Sequence, residues 1–385
     1  MNITWVTRSF LDYRIPLYAE LNRLCNNNLT VIYNAEVVPE RCKSKLSNVL
    51  GAKSIGLYGE FRLSGKKIQP LSNIKKNGLR IPYQPKLVKI IKKTEPDVII
   101  TDGFFQWTYA ALILNFTRKI PHVMCYEGTE HTERNAGLLR LKFRKFASSY
   151  INLIHANGTL SSAFLKNVLK LSDSKISTGN MTSETELLKK KCSELSEKDA
   201  FKIKNDLDLK TNVFLFVGRL VPLKGVQYLV EAWSELNLND SSLLLVGDGT
   251  ERDELEKLIE VNNIKDVCFK GEIDYDEIYK YFGISDCFII PTLQDNWSLV
   301  VPEAMSCNLP IISSKYNGCW PELVTKENGW VFNPLDKINF IETLNEVIEK
   351  KDEWITMGKA SSKIVENFSP KIIANKIYNS CKSLT

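Results

Sequence analysis

Histidine is scarce in this 385-residue chain, and its three copies are too scattered to suggest a metal cluster. No two of the nine cysteines stand in C-x-x-C spacing, and Cys125 and Cys287 lie inside apolar stretches. That pattern predicts reduced core thiols in a cytoplasmic protein and excludes a disulfide framework or a zinc site. No apolar run approaches the ~18 residues that a membrane-spanning helix needs. Met1 to Val6 read as a strand, with no charged segment leading into an apolar one, so no signal peptide is expected. With 19 glycines and 14 prolines, collagen-like and low-complexity architectures are excluded.

Apolar material is plentiful: 44% of residues are hydrophobic and 25% charged, enough for globular cores. A chain of this length predicts two domains. Charge is divided unevenly between them. Residues 1–180 hold 27 Lys and Arg against 12 Asp and Glu (+15), whereas 181–385 hold 24 against 33 (−9). A basic N-terminal half suits an acidic partner, such as nucleic acid, an anionic membrane or a phosphorylated substrate; a generally basic, well-solvated surface gives the same count.

Both halves alternate short apolar runs with amphipathic stretches, the pattern of parallel sheets covered by helices. Strands are predicted at Ile3–Val6, Leu29–Tyr33, Val98–Thr101, His122–Tyr126 and Tyr150–Ala156. In the second half they fall at Val213–Val217, Ser242–Val246, Val267–Lys270, Cys287–Pro291, Pro310–Ser313 and Gly329–Phe332. The Ser-, Lys- and Glu-rich stretch 180–210 separates the two series. The predicted organisation is α/β: two doubly wound domains, 1–180 and 181–368, facing across a cleft, and a final amphipathic helix over 369–385. In such sheets ligands bind at the carboxyl ends of the strands.

Three strand ends in the second half carry chemistry. After Phe216-Val217, Gly218 turns the chain, Arg219 follows at the sheet edge, and Lys224-Gly225 opens the next helix. Two cations beside a helix start can hold a diphosphate, although a solvated surface Arg and Lys would look the same in sequence. Val246-Gly247-Asp248-Gly249 reads as a tight strand-to-helix turn with Asp248 as helix cap. The third end, Pro291 to Met305, places Asp295 in a polar loop and Glu303 eight residues later on a helix. Ionised carboxylates accept several hydrogen bonds from vicinal hydroxyls. The amides around Trp297–Val300 suit a phosphate, and Asn296, Trp297, Ser298 and Leu299 are candidate binding residues beside them.

On these residues the second half resembles the donor-binding domain of family-4 retaining glycosyltransferases, glycosyl transferases group 1 of GT-B architecture. Gly218-Arg219…Lys224-Gly225, Val246 to Gly249, Ser285-Asp286, Asp295…Glu303-Ala304-Met305, Pro310 and Gly318…Glu322 stand in family order over about 120 residues. The resemblance implies two Rossmann-like domains, with the last helix crossing back to the first. It also implies that Arg219 and Lys224 hold a donor pyrophosphate, that Asp295 faces the sugar, and that Glu303 binds the nucleotide ribose. Asp295 stands where the family commonly has Glu. No cofactor and no metal are implied beyond the nucleotide diphosphate sugar.

The first half departs from the family, having Val6-Thr7-Arg8-Ser9 where relatives often carry a Gly-Gly pair; Arg8 or Arg14 would supply charge there. Asp102, Glu127 and His131 follow predicted strands at the same edge as acceptor-side candidates, with His131 in the family's histidine-bearing region and open to a sugar or an acceptor role. The aromatics Phe104, Phe105 and Trp107 either stack on a sugar or pack beneath the next helix. Leu138 to Phe146 interleaves Leu and Phe with Arg140, Lys142, Arg144 and Lys145, as an interfacial helix or as a core helix packed on the sheet. Basic pairs at Lys66-Lys67 and Lys75-Lys76 add to the same charge. The expected protein is therefore a cytoplasmic enzyme, peripheral on the inner face of the cell membrane. It would move a sugar to a glycan or lipid-linked glycan acceptor in cell-surface polysaccharide synthesis, alternatively to a soluble acceptor or to phosphate. A nucleic-acid partner is disfavoured, because no recognition helix or aromatic platform accompanies the charge.

Overall fold

The computed structural model describes residues 1–62, 82–236 and 238–385; Lys66-Lys67 and Lys75-Lys76 lie outside the described residues. The chain divides into two compact units, Met1–Thr182 with Pro370–Thr385, and Ser183–Ser369.

The first unit is built on a seven-stranded parallel sheet. Its strands are β1 (Ile3–Val6), β2 (Leu29–Asn34), β3 (Ser54–Leu57), β6 (Val98–Asp102), β7 (His122–Tyr126), β8 (Leu153–Ala156) and β9 (Ile176–Thr178). Two short strands, β4 (Phe61–Arg62) and β5 (Pro82–Tyr83), pair antiparallel outside it. The order is β3-β2-β1-β6-β7-β8-β9, so the winding reverses between β1 and β6. Helices α1 (Ile15–Leu24) and α2 (Glu40–Leu50) cover one face together with the closing helix Pro370–Lys382, which buries Ile373, Ala374 and Ile377 in the same core as Trp5, Tyr18 and Leu21. On the other side, α3 (Leu87–Lys93) and α4 (Tyr109–Arg118) pack around Trp107. Helices α5 (Leu138–Ser148) and α6 (Thr159–Asn167) join the core of β7 and β8. Strands such as Val98–Ile100 are buried throughout, which is why they read as continuous apolar runs rather than alternating ones.

The second unit begins with α7 (Thr185–Glu194) and α8 (Glu197–Asp206), two helices within the stretch expected to act as a separator. Its six-stranded parallel sheet comprises β10 (Asn212–Val217), β11 (Ser241–Val246), β12 (Val267–Gly271), β13 (Cys287–Ile290), β14 (Ile311–Ser314) and β15 (Gly329–Phe332), in the order β12-β11-β10-β13-β14-β15. Helices α9 (Val226–Trp233), α10 (Arg252–Val261), α11 (Ile278–Gly283), α12 (Val300–Ser306), α13 (Trp320–Leu323), α14 (Lys337–Glu349) and α15 (Trp354–Val365) connect and flank them. Here the winding reverses between β10 and β13. In a doubly wound sheet that is where a ligand crevice opens beyond the carboxyl ends of the strands.

Two expectations change. Strands β3 and β9 were not visible in the sequence: β3 is a half-buried edge with Gly56 in its middle, and β9 has three residues. On α5, Arg144 is not part of a cationic surface. It is 2% exposed, bonds Glu133 at 2.7 Å, and lies over the rings of Phe104, Phe105 and Phe164. Arg144→Ala is expected to destabilise the protein by about 1–3 kcal/mol, since Glu133 loses its partner and the rings lose a packed neighbour. Chemical denaturation measures this, and an unchanged midpoint would show the pair to be inert.

Candidate functional site

The carboxyl edge of the second unit is assembled from loops pressed backbone to backbone. The amide of Gly218 donates to Val246 O and that of Leu220 to Asp248 O, so the turns after β10 and β11 run together. Gly247 has φ +129°, and a Cβ there would collide with the Gly218 carbonyl, which requires glycine at this close approach. A further stitch ties the β10 loop to the β13 loop: Leu293 N and Thr292 Oγ1 both donate to Leu223 O at 2.9 Å. The loops carrying Arg219, Lys224 and Asp295 are thereby fixed at one point of the sheet.

Arg219 is exposed and makes no ion pair among the described residues. Lys224 donates to Asp295 Oδ2 at 2.6 Å, and both side chains are four-fifths buried. Asp295 also accepts from Ser298 Oγ at 2.6 Å and from the Trp297 amide at 3.1 Å. Glu303, on the first turn of α12, is 6% exposed and accepts a hydrogen bond from the Tyr275 hydroxyl at 2.9 Å. Burial pushes its carboxyl up to about 7, with Tyr275 pulling the other way. Sequence reasoning passed over Tyr275, because a tyrosine 28 residues upstream carries no local signal of its contact. Ser298 and Asn317 also act as scaffold: Asn317 Oδ1 accepts the Ser298 amide at 3.3 Å.

Two expectations are corrected here. Asp248 does not cap α10, whose N-cap is Glu251; its carboxylate accepts the Gly249 amide and pairs with Arg252 at 3.6 Å. The amides of Trp297 and Ser298 are already taken by Asp295 and Asn317, so they are not open to a phosphate. The Trp297 ring is 5% exposed and lies against Phe368, with its indole N–H lacking a partner, as does the buried Asn296 Oδ1. Leu299 is the N-cap of α12.

Residues 197–366 match the family model of glycosyl transferases group 1. Among curated relatives, the chain is 24% identical over 336 residues to the sulfoquinovosyl transferase of Arabidopsis thaliana, covering 84% of this chain and 63% of that protein. It is 32% identical over 173 residues to the UDP-Gal:alpha-D-GlcNAc-diphosphoundecaprenol alpha-1,3-galactosyltransferase of Escherichia coli, covering 42% of this chain and 44% of that one. The chain thus spans less than two thirds of the length of either relative. Among solved structures it matches HepE of Anabaena in complex with UDP at TM-score 0.76 and 18% identity, covering 100% of both chains. The sucrose-phosphate synthase of Thermosynechococcus elongatus matches at 0.73 and 18%, covering 100% and 99%. The fold is GT-B, two parallel sheets with flanking helices.

In the first unit, the β1–β6 reversal holds a cluster of charges that the group 1 match does not cover. Arg14 is 4% exposed, lies 3.6 Å from both Asp102 and Glu127, and stacks over Trp5. Burial works hardest against its charge, but Asp102 together with Tyr18, Tyr13 and Cys125 holds the guanidinium above its ordinary value. Arg8 forks onto buried Glu60 at 2.8 and 2.9 Å, and Glu60 also accepts from Trp107. Neither arginine is therefore a spare cation for a diphosphate, since each is matched by carboxylates of its own unit. Of the aromatics after β6, Phe104 and Trp107 are buried and Phe105 stacks on Phe143, so they pack beneath helices. His122 and His155 are buried and held neutral, with burial lowering both to about 4. His131 lies half-buried in the loop after β7. Among the described residues, no three His, Cys, Asp or Glu side chains converge as a metal ion would need.

Proposed function

We propose that the protein is a retaining glycosyltransferase that uses a nucleotide diphosphate sugar bound at the β10–β13 switch point. The observation that carries this reading is the Lys224–Asp295 pair at 2.6 Å, with exposed Arg219 on the same loop as Lys224 and buried Glu303 on α12, in the unit that matches group 1. Arg219 and Lys224 take the diphosphate charge as the sugar leaves, with Lys224 exchanging Asp295 for phosphate. Electrostatic stabilisation of this kind usually contributes more to such transfers than any other single effect. Released from Lys224, Asp295 turns its acceptor oxygens to sugar hydroxyls, and Glu303 accepts from the ribose diol. The donor phosphate itself takes the acceptor proton, so no protein base is assigned, and the two cations call for no metal.

The acceptor in this reading is a lipid-linked glycan of cell-surface polysaccharide synthesis. The protein works at the cytoplasmic face of an anionic membrane, and Arg14, Asp102, Glu127 and His131 border the acceptor. Two findings support it: the Escherichia coli relative is named for a diphosphoundecaprenol substrate, and the first 180 residues carry +15, from 27 basic against 12 acidic residues. A thermal-shift screen of UDP-, GDP- and ADP-linked sugars tests the donor. A ligand at 100 times its dissociation constant adds about 2.7 kcal/mol, a clear rise in melting temperature. No response to any nucleotide sugar, with no transfer or donor hydrolysis, would end the proposal.

A further inference from the structure

The outward faces of α4 and α5 carry apolar surface that sugar transfer does not use. Leu138, Leu139 and Phe146 of α5 are 78%, 80% and 62% exposed, and Phe116 of α4 is 60% exposed. Phe116 and Phe146 are not scattered. Tyr150 makes edge-to-face contacts with both Phe116, at 5.6 Å, and Phe146, at 5.4 Å, and so joins the two helices into one aromatic ridge. Ile113, one turn before Phe116, extends the ridge toward Lys89 and Lys92 of α3. Solvent-facing apolar groups in a contiguous patch mark an interaction surface.

Charge identifies what covers it. Helices α3, α4 and α5 contain no Asp or Glu, while Arg118, Lys119, Arg140, Lys142 and Lys145 are exposed around the ridge, with Lys119 lying over the Phe116 ring. We propose that this ridge docks onto an anionic lipid bilayer, with Phe116, Leu138, Leu139 and Phe146 seated at the boundary between headgroups and acyl chains and the cations in the headgroup layer. A second copy of the chain would bring like charges together across a twofold contact. A nucleic acid would leave the four apolar side chains in water. The sequence pattern alone put Arg144 in this cationic set; the structure removes it to the core and adds α4. The lipid-linked acceptor of the proposed function rests on such docking for access, whereas the ridge itself is read from geometry and charge.

Flotation of the full chain with phosphatidylcholine vesicles, with and without phosphatidylglycerol, tests this. The protein is expected to float with the anionic vesicles, to stay behind with the neutral ones, and to be released by high salt. Phe116→Ser with Phe146→Ser, and separately Lys142→Glu with Lys145→Glu, are each expected to lower the bound fraction at least about tenfold. The lysine pair lies on the surface and keeps the test open if the phenylalanine pair misfolds. Equal binding to both vesicle types, no binding, or lysine variants that bind like wild type would each overturn the proposal. So would a sedimenting dimer that the phenylalanine pair dissolves. The thermal shift with nucleotide sugar is run on the same samples. Vesicle binding without that shift counts against the donor reading alone, and the shift without vesicle binding counts against the ridge alone.

Discussion

Replacing Arg219 and Lys224 together by alanine is expected to lower turnover of a nucleotide sugar by about two to four orders of magnitude, each charge-assisted contact contributing about 1.5–3 kcal/mol. The single variants should differ in a way that the structure specifies. Arg219 is exposed and makes no ion pair among the described residues, so Arg219→Ala removes function and leaves the melting temperature unchanged. Lys224 holds Asp295 at 2.6 Å in a part-buried pair, so its loss also leaves a carboxylate without its cation. Lys224→Ala is therefore expected to lower both activity and stability, and Asp295→Asn in the same chain to restore part of the stability but not the turnover. Steady-state kinetics with thermal melts on the four proteins decide it. Wild-type turnover in the double variant would refute the diphosphate clamp.

The proposed clamp shows what the sequence makes legible. Arg219 and Lys224 follow an apolar strand at short range, and their place at the sheet edge follows from the strand ending at Val217. Glu303 was equally visible, because a helix start fixes its position. What stayed hidden depends on contacts distant along the chain. Tyr275 reaches Glu303 across 28 residues, Asn317 reaches back 19 residues to the Ser298 amide, and Glu60 neutralises Arg8 across 52. No spacing rule reports such pairs, so amides and cations that look free in the sequence are already committed in the fold. Arg144 illustrates the same limit. Its neighbours on α5 suggest a solvated stripe, and only Glu133 on the preceding loop and Phe104 beyond β6 explain an arginine in the core. Edge strands were lost for another reason: with a glycine at its centre or three residues in all, a strand presents too little apolar pattern to register.

The donor affinity is expected to depend steeply on pH, because Glu303 titrates near neutrality. An ionised carboxylate accepts hydrogen bonds from both hydroxyls of a ribose, whereas the protonated group carries a donor and loses acceptor capacity. With the carboxyl at about 7, binding of a nucleotide sugar should be full at pH 8 and weaken about 100-fold by pH 5, tenfold for each unit below the midpoint. A diphosphate diester is the ligand to use, since its phosphates have no ionisation in that range. Tyr275→Phe removes the hydroxyl that favours the charged form, so the midpoint should move upward. Glu303→Gln should bind more weakly at pH 8 and show no such titration. Stability runs the opposite way. The folded carboxyl sits above its ordinary 4.5, so ionising it costs the fold on the order of 3 kcal/mol as pH rises from about 4.5 to 7. Glu303→Gln is free of that cost and is expected to melt higher than wild type at pH 8, with little difference at pH 4.5. A buried acid kept at the expense of stability is what a binding role predicts. Calorimetric titration against pH, paired with melts of the same variants, reads both effects. A flat wild-type affinity profile, or a glutamine variant that binds like wild type and melts lower, would remove Glu303 from the donor site.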